Sequence, residues 1–236
     1  MTKHKKTAII LPLVLVLIGF GLWLKMEPRF AFEAVDVEQY LKSDENVNVS
    51  LDDGILFFDG PGTEKALIFY PGAGIEVRAY APLMHELAEG GMDCFLAEMP
   101  SNYAFLDPFR ADVIIDNYSY ESWNLAGHSL GGAIAAQYAA KTEHDIDGLY
   151  LLAAFPIKKV DGVDDILYIY GSRDQIVSLN GVKKGIAKSP DNSREYVISG
   201  GNHSQFGSYG TQKRDGKAEI SLEEQISQTA AQILGM

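Results

Sequence analysis

The sequence predicts an α/β protein built on a mostly parallel, doubly wound sheet with helices on both faces. Three observations carry that expectation. Short apolar runs recur at 66–70, 94–97, 123–126, 149–153 and 166–170, the mark of strands buried on both sides. Segments with helical spacing at 80–89, 110–118 and 131–141 separate several of them. Gly and Pro punctuate the boundaries, as in Pro71-Gly72, Gly90-Gly91 and Pro100. Strand, helix, strand repeated in this way brings parallel neighbours together. With 236 residues, 47% hydrophobic and 22% charged, the chain suits a domain with a sizeable core and excludes a disordered or fibrous protein.

The elements follow in order. Lys3, His4, Lys5 and Lys6 precede an uncharged run, residues 7–24, closed by Lys25. Eighteen uncharged residues are at the lower limit for a bilayer-spanning helix, and basic residues ahead of them place the N-terminus inside and the remainder outside. A cleaved signal peptide competes with that reading. Its small-x-small site would have to be Gly19-Phe20-Gly21, yet Leu22-Trp23-Leu24 continues the apolar stretch. These features favour a retained membrane anchor over residues 1–25, with the remainder on the extracytoplasmic side; the alternative is secretion after cleavage. Residues 26–45 read as an acidic juxtamembrane segment with a helix around 35–41. The folded domain is expected over 46–236. It opens with a hairpin, 47–50 and 55–58, because Asp53-Gly54 favours a tight turn. A strand at 195–198 and a helix at 222–234 complete the set.

Charge and cysteine content narrow the function classes. Thirty-two acidic against twenty basic side chains give a net charge of -12, which argues against a nucleic-acid backbone as partner. The single cysteine, Cys94, excludes a disulfide framework and reads as a core residue. Five scattered histidines offer no metal-ligand cluster, so neither a metal nor an organic cofactor is implied.

One segment carries chemistry: Gly127-His128-Ser129-Leu130-Gly131-Gly132, a G-x-S-x-G between a predicted buried strand and an Ala-rich helix. The pattern alone occurs by chance and also describes an ordinary glycine-rich turn. In this context, a strand turning sharply into a helix exposes the Ser129 hydroxyl at the carboxyl end of the sheet. Serine is a weak nucleophile and needs a base, which in turn needs an orienting carboxylate. With this elbow the chain order is Ser, acid, His. Asp174 lies just past the 166–170 strand and His203 just past the 195–198 strand, at the same end as Ser129. Asp161, Asp164 and Asp165 precede their strand and would lie at the other end. His4, His85, His128 and His144 lack a comparable position. The loop Tyr70-Pro71-Gly72-Ala73-Gly74 is placed to present a backbone N–H to an oxyanion, from Ala73 or Gly72, together with that of Leu130.

Taken together, Tyr70-Pro71-Gly72-Ala73-Gly74, Gly127-His128-Ser129-Leu130-Gly131-Gly132, Gly171-Ser172-Arg173-Asp174 and Gly200-Gly201-Asn202-His203 resemble the α/β-hydrolase superfamily over about residues 46–236. The stretch from Gly201 to Gly210, with Asp215-Gly216 beyond, resembles small bacterial relatives of the dienelactone hydrolases. The resemblance implies the α/β-hydrolase fold and a serine hydrolase with Ser129 as nucleophile, Asp174 as acid and His203 as base. There are two departures. Pro71 stands where many members have His, and a serine stands where dienelactone hydrolases carry cysteine, so that chemistry does not carry over. Only about twenty residues separate Ala153 from Asp174, too few for the helical cap many relatives insert there. The site is therefore expected to be shallow, walled by Tyr103, Phe105 and Leu106, by residues 154–160, and by Phe206 and Tyr209. An open cleft suits a small ester or an acyl group on a larger molecule. An acyltransferase, a peptidase, or a non-catalytic binding module on the same fold are the alternatives.

Overall fold

A computed structural model of the chain describes residues 32–235. The expected anchor, residues 1–25, lies outside the described residues. Among the described residues, no helix is long and apolar enough to cross a membrane.

Eight strands form one sheet: β1 (Asn48–Asp52), β2 (Ile55–Asp59), β3 (Lys65–Tyr70), β4 (Asp93–Ala97), β5 (Ser122–His128), β6 (Gly148–Leu152), β7 (Asp165–Gly171) and β8 (Arg194–Ile198). Their spatial order is β1-β2-β4-β3-β5-β6-β7-β8. From β4 to β8 every pairing is parallel, while β1 and β2 form an antiparallel edge. The hairpin register pairs Asp52 with Ile55, leaving Asp53 and Gly54 as a two-residue turn with φ of 45° and 70°. Positive φ at both positions is what an Asp-Gly hairpin turn requires.

Among the described residues, five α-helices flank the sheet: α1 (Ala81–Glu89), α2 (Arg110–Ile115), α3 (Leu130–Ala139), α4 (Leu179–Ile186) and α5 (Leu222–Leu234). The apolar runs of the strands divide between two cores because successive side chains point to opposite faces. Leu67, Phe69, Cys94, Leu96 and Ala126 meet Leu83, Leu87 and Ile233 from α1 and α5 on one face. Ala66, Ile68, Phe95, Leu125 and Leu151 meet Ile114, Ile134 and Val182 from α2, α3 and α4 on the other.

Two sequence expectations change. Residues 35–41 form turns rather than a helix: Asp36 has φ 55°, Val37 is buried and Tyr40 N–H donates to Val37 C=O. This stretch belongs to the body, since Phe32 bridges to Ile75, its ring packs 5.5 Å from Tyr209, and Tyr40 and Leu41 join the core. Helix α4 was not expected, because two of its eight residues are glycine. Gly181 and Gly185 are there so that the helix can lie directly on Phe155 and Pro156; a Cβ at Gly181 would come within 2.4 Å of the Phe155 ring. No helix interrupts residues 153–164, so the carboxyl edge carries no cap.

Candidate active site

The elbow forms where β5 meets α3. Ser129 stands between them with φ 53° and ψ -122°, a conformation that non-glycine residues rarely adopt. The glycines around it exist for contact. A Cβ at Gly127 would sit 2.6 Å from Gly132 N, and one at Gly131 would sit 2.2 Å from Tyr70 O. The parallel register sets Tyr70 of β3 beside Gly127 of β5, so the loop after β3 borders the elbow. Ser129 is the N-cap of α3, yet its hydroxyl caps no helix N–H and so stays free at the positive end of the helix.

Asp174 and His203 are brought together from the turns after β7 and β8. His203 Nδ1–H donates to Asp174 Oδ2 at 2.9 Å, and both side chains are buried. The other carboxylate oxygen, Oδ1, accepts the N–H groups of Ile176 and Val177, each at 2.8 Å, which fixes its plane. With Nδ1 committed to the carboxylate, the lone pair of the imidazole is on Nε2. Ser129 and His203 line the same open depression of about 360 Å³, whose remaining walls include Ala154, Phe155, Ile157, Ile176 and Val177. A larger depression of about 650 Å³ lies among Lys65, Ser122, Gly148's neighbour Asp147 and Asp165, at the amino ends of the strands and away from this chemistry.

The histidine loop is held by a clamp that sequence inspection missed. Gln225 of α5, fully buried, accepts from Asn202 N–H at 2.9 Å and donates to Asn202 C=O at 2.8 Å. Asp215 Oδ2 accepts from both the N–H and the hydroxyl of Ser204, at 2.8 and 2.7 Å. Gln225→Leu leaves two buried backbone groups unpaired beside His203. It is expected to lower stability by about 2–4 kcal/mol, read as a drop in the urea midpoint at unchanged slope.

The candidate oxyanion donors separate. Gly72 N–H donates to Tyr80 Oη at 2.9 Å and is therefore not free, which removes it from the expected set. The N–H groups of Ala73 and Leu130 have no hydrogen-bond acceptor among the described residues. Next in the loop, Gly74 N–H donates to Asn102 C=O at 2.9 Å, so the segment after β4 braces it.

The expected substrate contacts lie elsewhere. Phe206 is 1% exposed and belongs to the core, its ring 5.6 Å from that of His128, because the short turn after His203 directs it inward. Tyr103 and Phe105 pack on one another at 5.3 Å beside the bracing segment and do not line the depression. Ile157, Ile176 and Val177 form its apolar wall instead. His128, set aside in the sequence, is wholly buried against the His203 ring at 4.6 Å. Burial and the neighbouring His203 hold His128 well below the usual imidazole range, so it is neutral.

Known structures share this architecture. A soluble variant of monoglyceride lipase from Saccharomyces cerevisiae superposes with a TM-score of 0.59 at 14% identity, covering 85% of this chain and 98% of that one. Est1E from Butyrivibrio proteoclasticus gives 0.56 at 15% identity, covering 81% and 98%. A dienelactone hydrolase from Anabaena variabilis gives 0.56 at 12% identity, covering 81% and 97%. At such identities the likeness is one of fold. No curated protein matches the chain in sequence. Residues 66–227 match the model of the alpha/beta hydrolase family, a span from β3 into α5 that contains Ser129, Asp174 and His203. On that match, and on the sheet and elbow that bear it out, the chain belongs to the alpha/beta hydrolase family.

Proposed function

We propose that the protein is a serine hydrolase that cleaves carboxylic esters, with Ser129 as nucleophile, His203 as general base and Asp174 as the carboxylate that orients it. The observation that carries this reading is the buried Asp174–His203 pair opening onto the same depression as a strained serine at a helix N-terminus. Ser129 Oγ attacks the ester carbonyl as its proton passes to His203 Nε2. Asp174 stabilises the imidazolium that forms. The N–H groups of Ala73 and Leu130 receive the negative charge on the carbonyl oxygen. His203 returns the proton to the departing alkoxide, and water activated by the same ring then releases the acid.

The apolar wall of Ile157, Ile176 and Val177 favours an acyl group of modest length. With no cap over the site, the alcohol portion of the substrate can extend into solvent or belong to a larger molecule. No cofactor takes part in the proposed steps. We further propose that residues 1–25 anchor the chain in the cell membrane with the hydrolase body outside. Protease added to intact cells is then expected to release the body, and release only after permeabilisation would refute that orientation.

Fluorophosphonate labelling tests the central reading without knowledge of the substrate. The full chain is expected to label at one serine and Ser129→Ala to remain unlabelled. Equal labelling of the two proteins would place the nucleophile elsewhere, and a folded parent that does not label would favour a binding role. A panel of esters of graded acyl length, with and without an added alcohol acceptor, then separates hydrolysis from transfer.

A further inference from the structure

We infer that Tyr80 and His128 are positioning residues of this site: their hydrogen bond fixes the oxyanion loop against the elbow that carries the nucleophile. The inference rests on the reading of Ser129 as nucleophile and adds two residues that the proposed mechanism does not use. Both are fully buried. Tyr80 lies at the start of α1, and His128 is the last residue of β5, immediately before Ser129.

Three segments from separate parts of the chain meet at the Tyr80 hydroxyl and ring. Gly72 N–H of the oxyanion loop donates to Tyr80 Oη at 2.9 Å. His128 Nδ1 of the elbow lies 2.9 Å from the same oxygen. Gly207 of the histidine loop packs on the ring so closely that a Cβ there would come within 3.1 Å of it. A Cβ at Gly72 would lie 2.9 Å from His128 Nδ1 and 3.0 Å from Tyr80 Oη, so the loop can dock on the pair only through a glycine.

Counting protons fixes the direction of the bonds. A backbone N–H can only donate, so Tyr80 Oη accepts from Gly72. The phenolic proton then needs an acceptor in a buried site, and His128 Nδ1 is the remaining polar atom within reach. Tyr80 therefore donates to His128, whose own proton sits on Nε2, a buried nitrogen with no hydrogen-bond partner among the described residues; the reverse assignment would leave both the phenolic proton and that nitrogen unpaired. Two consequences follow for the reaction. Gly72 N–H is held away from the substrate, which leaves Ala73 N–H as the donor that the loop presents. The His128 ring, 4.6 Å from that of His203, stays uncharged while His203 takes up the proton of Ser129. A second positive charge at that distance would oppose proton transfer.

The test is kinetic, on the full chain with a soluble p-nitrophenyl ester. Tyr80→Phe keeps the ring and removes only the hydroxyl. Its kcat is expected to fall about 10- to 100-fold, the scale of a misplaced oxyanion donor, with KM within about twofold. His128→Phe is expected to show the same loss, and the double variant no more than either single, because one link is broken in all three. His128→Asn places an amide oxygen where Nδ1 was and is expected to recover most of the rate. A Tyr80→Phe variant that turns over at the parent's rate, while the parent labels at Ser129, overturns the inference alone. So do losses that multiply in the double variant or appear in KM. A parent that does not label at Ser129 overturns the reading of the site and the inference with it. A readout without variants comes from 15N-histidine spectra of the full chain. One ring is expected to remain the neutral Nε2–H tautomer from about pH 5 to pH 8, and titration of His128 within that range overturns the inference.

Discussion

Ser129→Gly is expected to abolish ester hydrolysis and, at the same time, to make the protein more stable than Ser129→Ala. The two effects have one origin in the elbow. Ser129 is held at φ 53° and ψ -122°, where a Cβ crowds the backbone. Such conformations cost about 1–3 kcal/mol and persist only where the surroundings impose them. Here the imposing contacts are backbone to backbone: Gly131 against Tyr70 O, Gly127 against Gly132 N, and Ser129 N–H donating to Leu152 C=O at 2.9 Å. Glycine removes the strain but adds about 0.5–1 kcal/mol of chain entropy to the unfolded state. The net gain expected over Ser129→Ala is about 1 kcal/mol, read from urea midpoints. Alanine is the proper reference because it lacks the hydroxyl and keeps the Cβ. With either substitution kcat should fall by about 10⁴- to 10⁶-fold, the scale seen when a triad serine is lost. A glycine variant less stable than the alanine variant would show that the elbow stores no strain.

What was legible in the sequence, and what was not, divides along a physical line. The central strands β3 to β7 are buried on both faces, so their apolar runs stand out without reference to partners. That Ser129, Asp174 and His203 meet at one edge follows from their positions at strand ends, because a parallel sheet sends all such ends to one side. Features set by long-range contact were hidden. Helix α4 carries glycines that lower its helical signal and make sense only once Phe155 is seen beneath them. Phe206 follows His203 by three residues, and nothing local says that its ring turns into the core. Tyr80 and His128 are 48 residues apart and share no pattern. Their one sequence trace is Gly72, whose missing side chain is explained by the pair that packs on it.

Asp174→Asn is the second large effect, and it separates chemistry from architecture. Asp174 has two duties. Oδ1 caps the turn after β7 by accepting from Ile176 and Val177, and Oδ2 accepts from His203 Nδ1–H. An amide of the same shape can perform the first duty with its oxygen. Its NH₂ then faces His203 and must donate to Nδ1. That moves the imidazole proton to Nε2, the nitrogen away from Asp174, which then has no lone pair to take the serine's proton in the proposed reaction. The turn survives, the fold survives, and the base is in the wrong tautomer. In the proposed reaction, loss of the carboxylate also removes the charge that would stabilise the imidazolium in the transition state. Together these are expected to lower kcat by about 10⁴-fold, the scale such a substitution has in a serine triad, with KM little changed. Asp174→Ala should differ in stability rather than in rate. It strands two N–H groups and a buried histidine, and is expected to be less stable than Asp174→Asn by about 1–3 kcal/mol. If Asp174→Asn retained more than about a tenth of the parent's kcat, well above the loss expected here, another carboxylate would be orienting the base. Asp215 is the candidate to examine next. It already binds Ser204, the residue after His203, through Oδ2 at 2.8 and 2.7 Å.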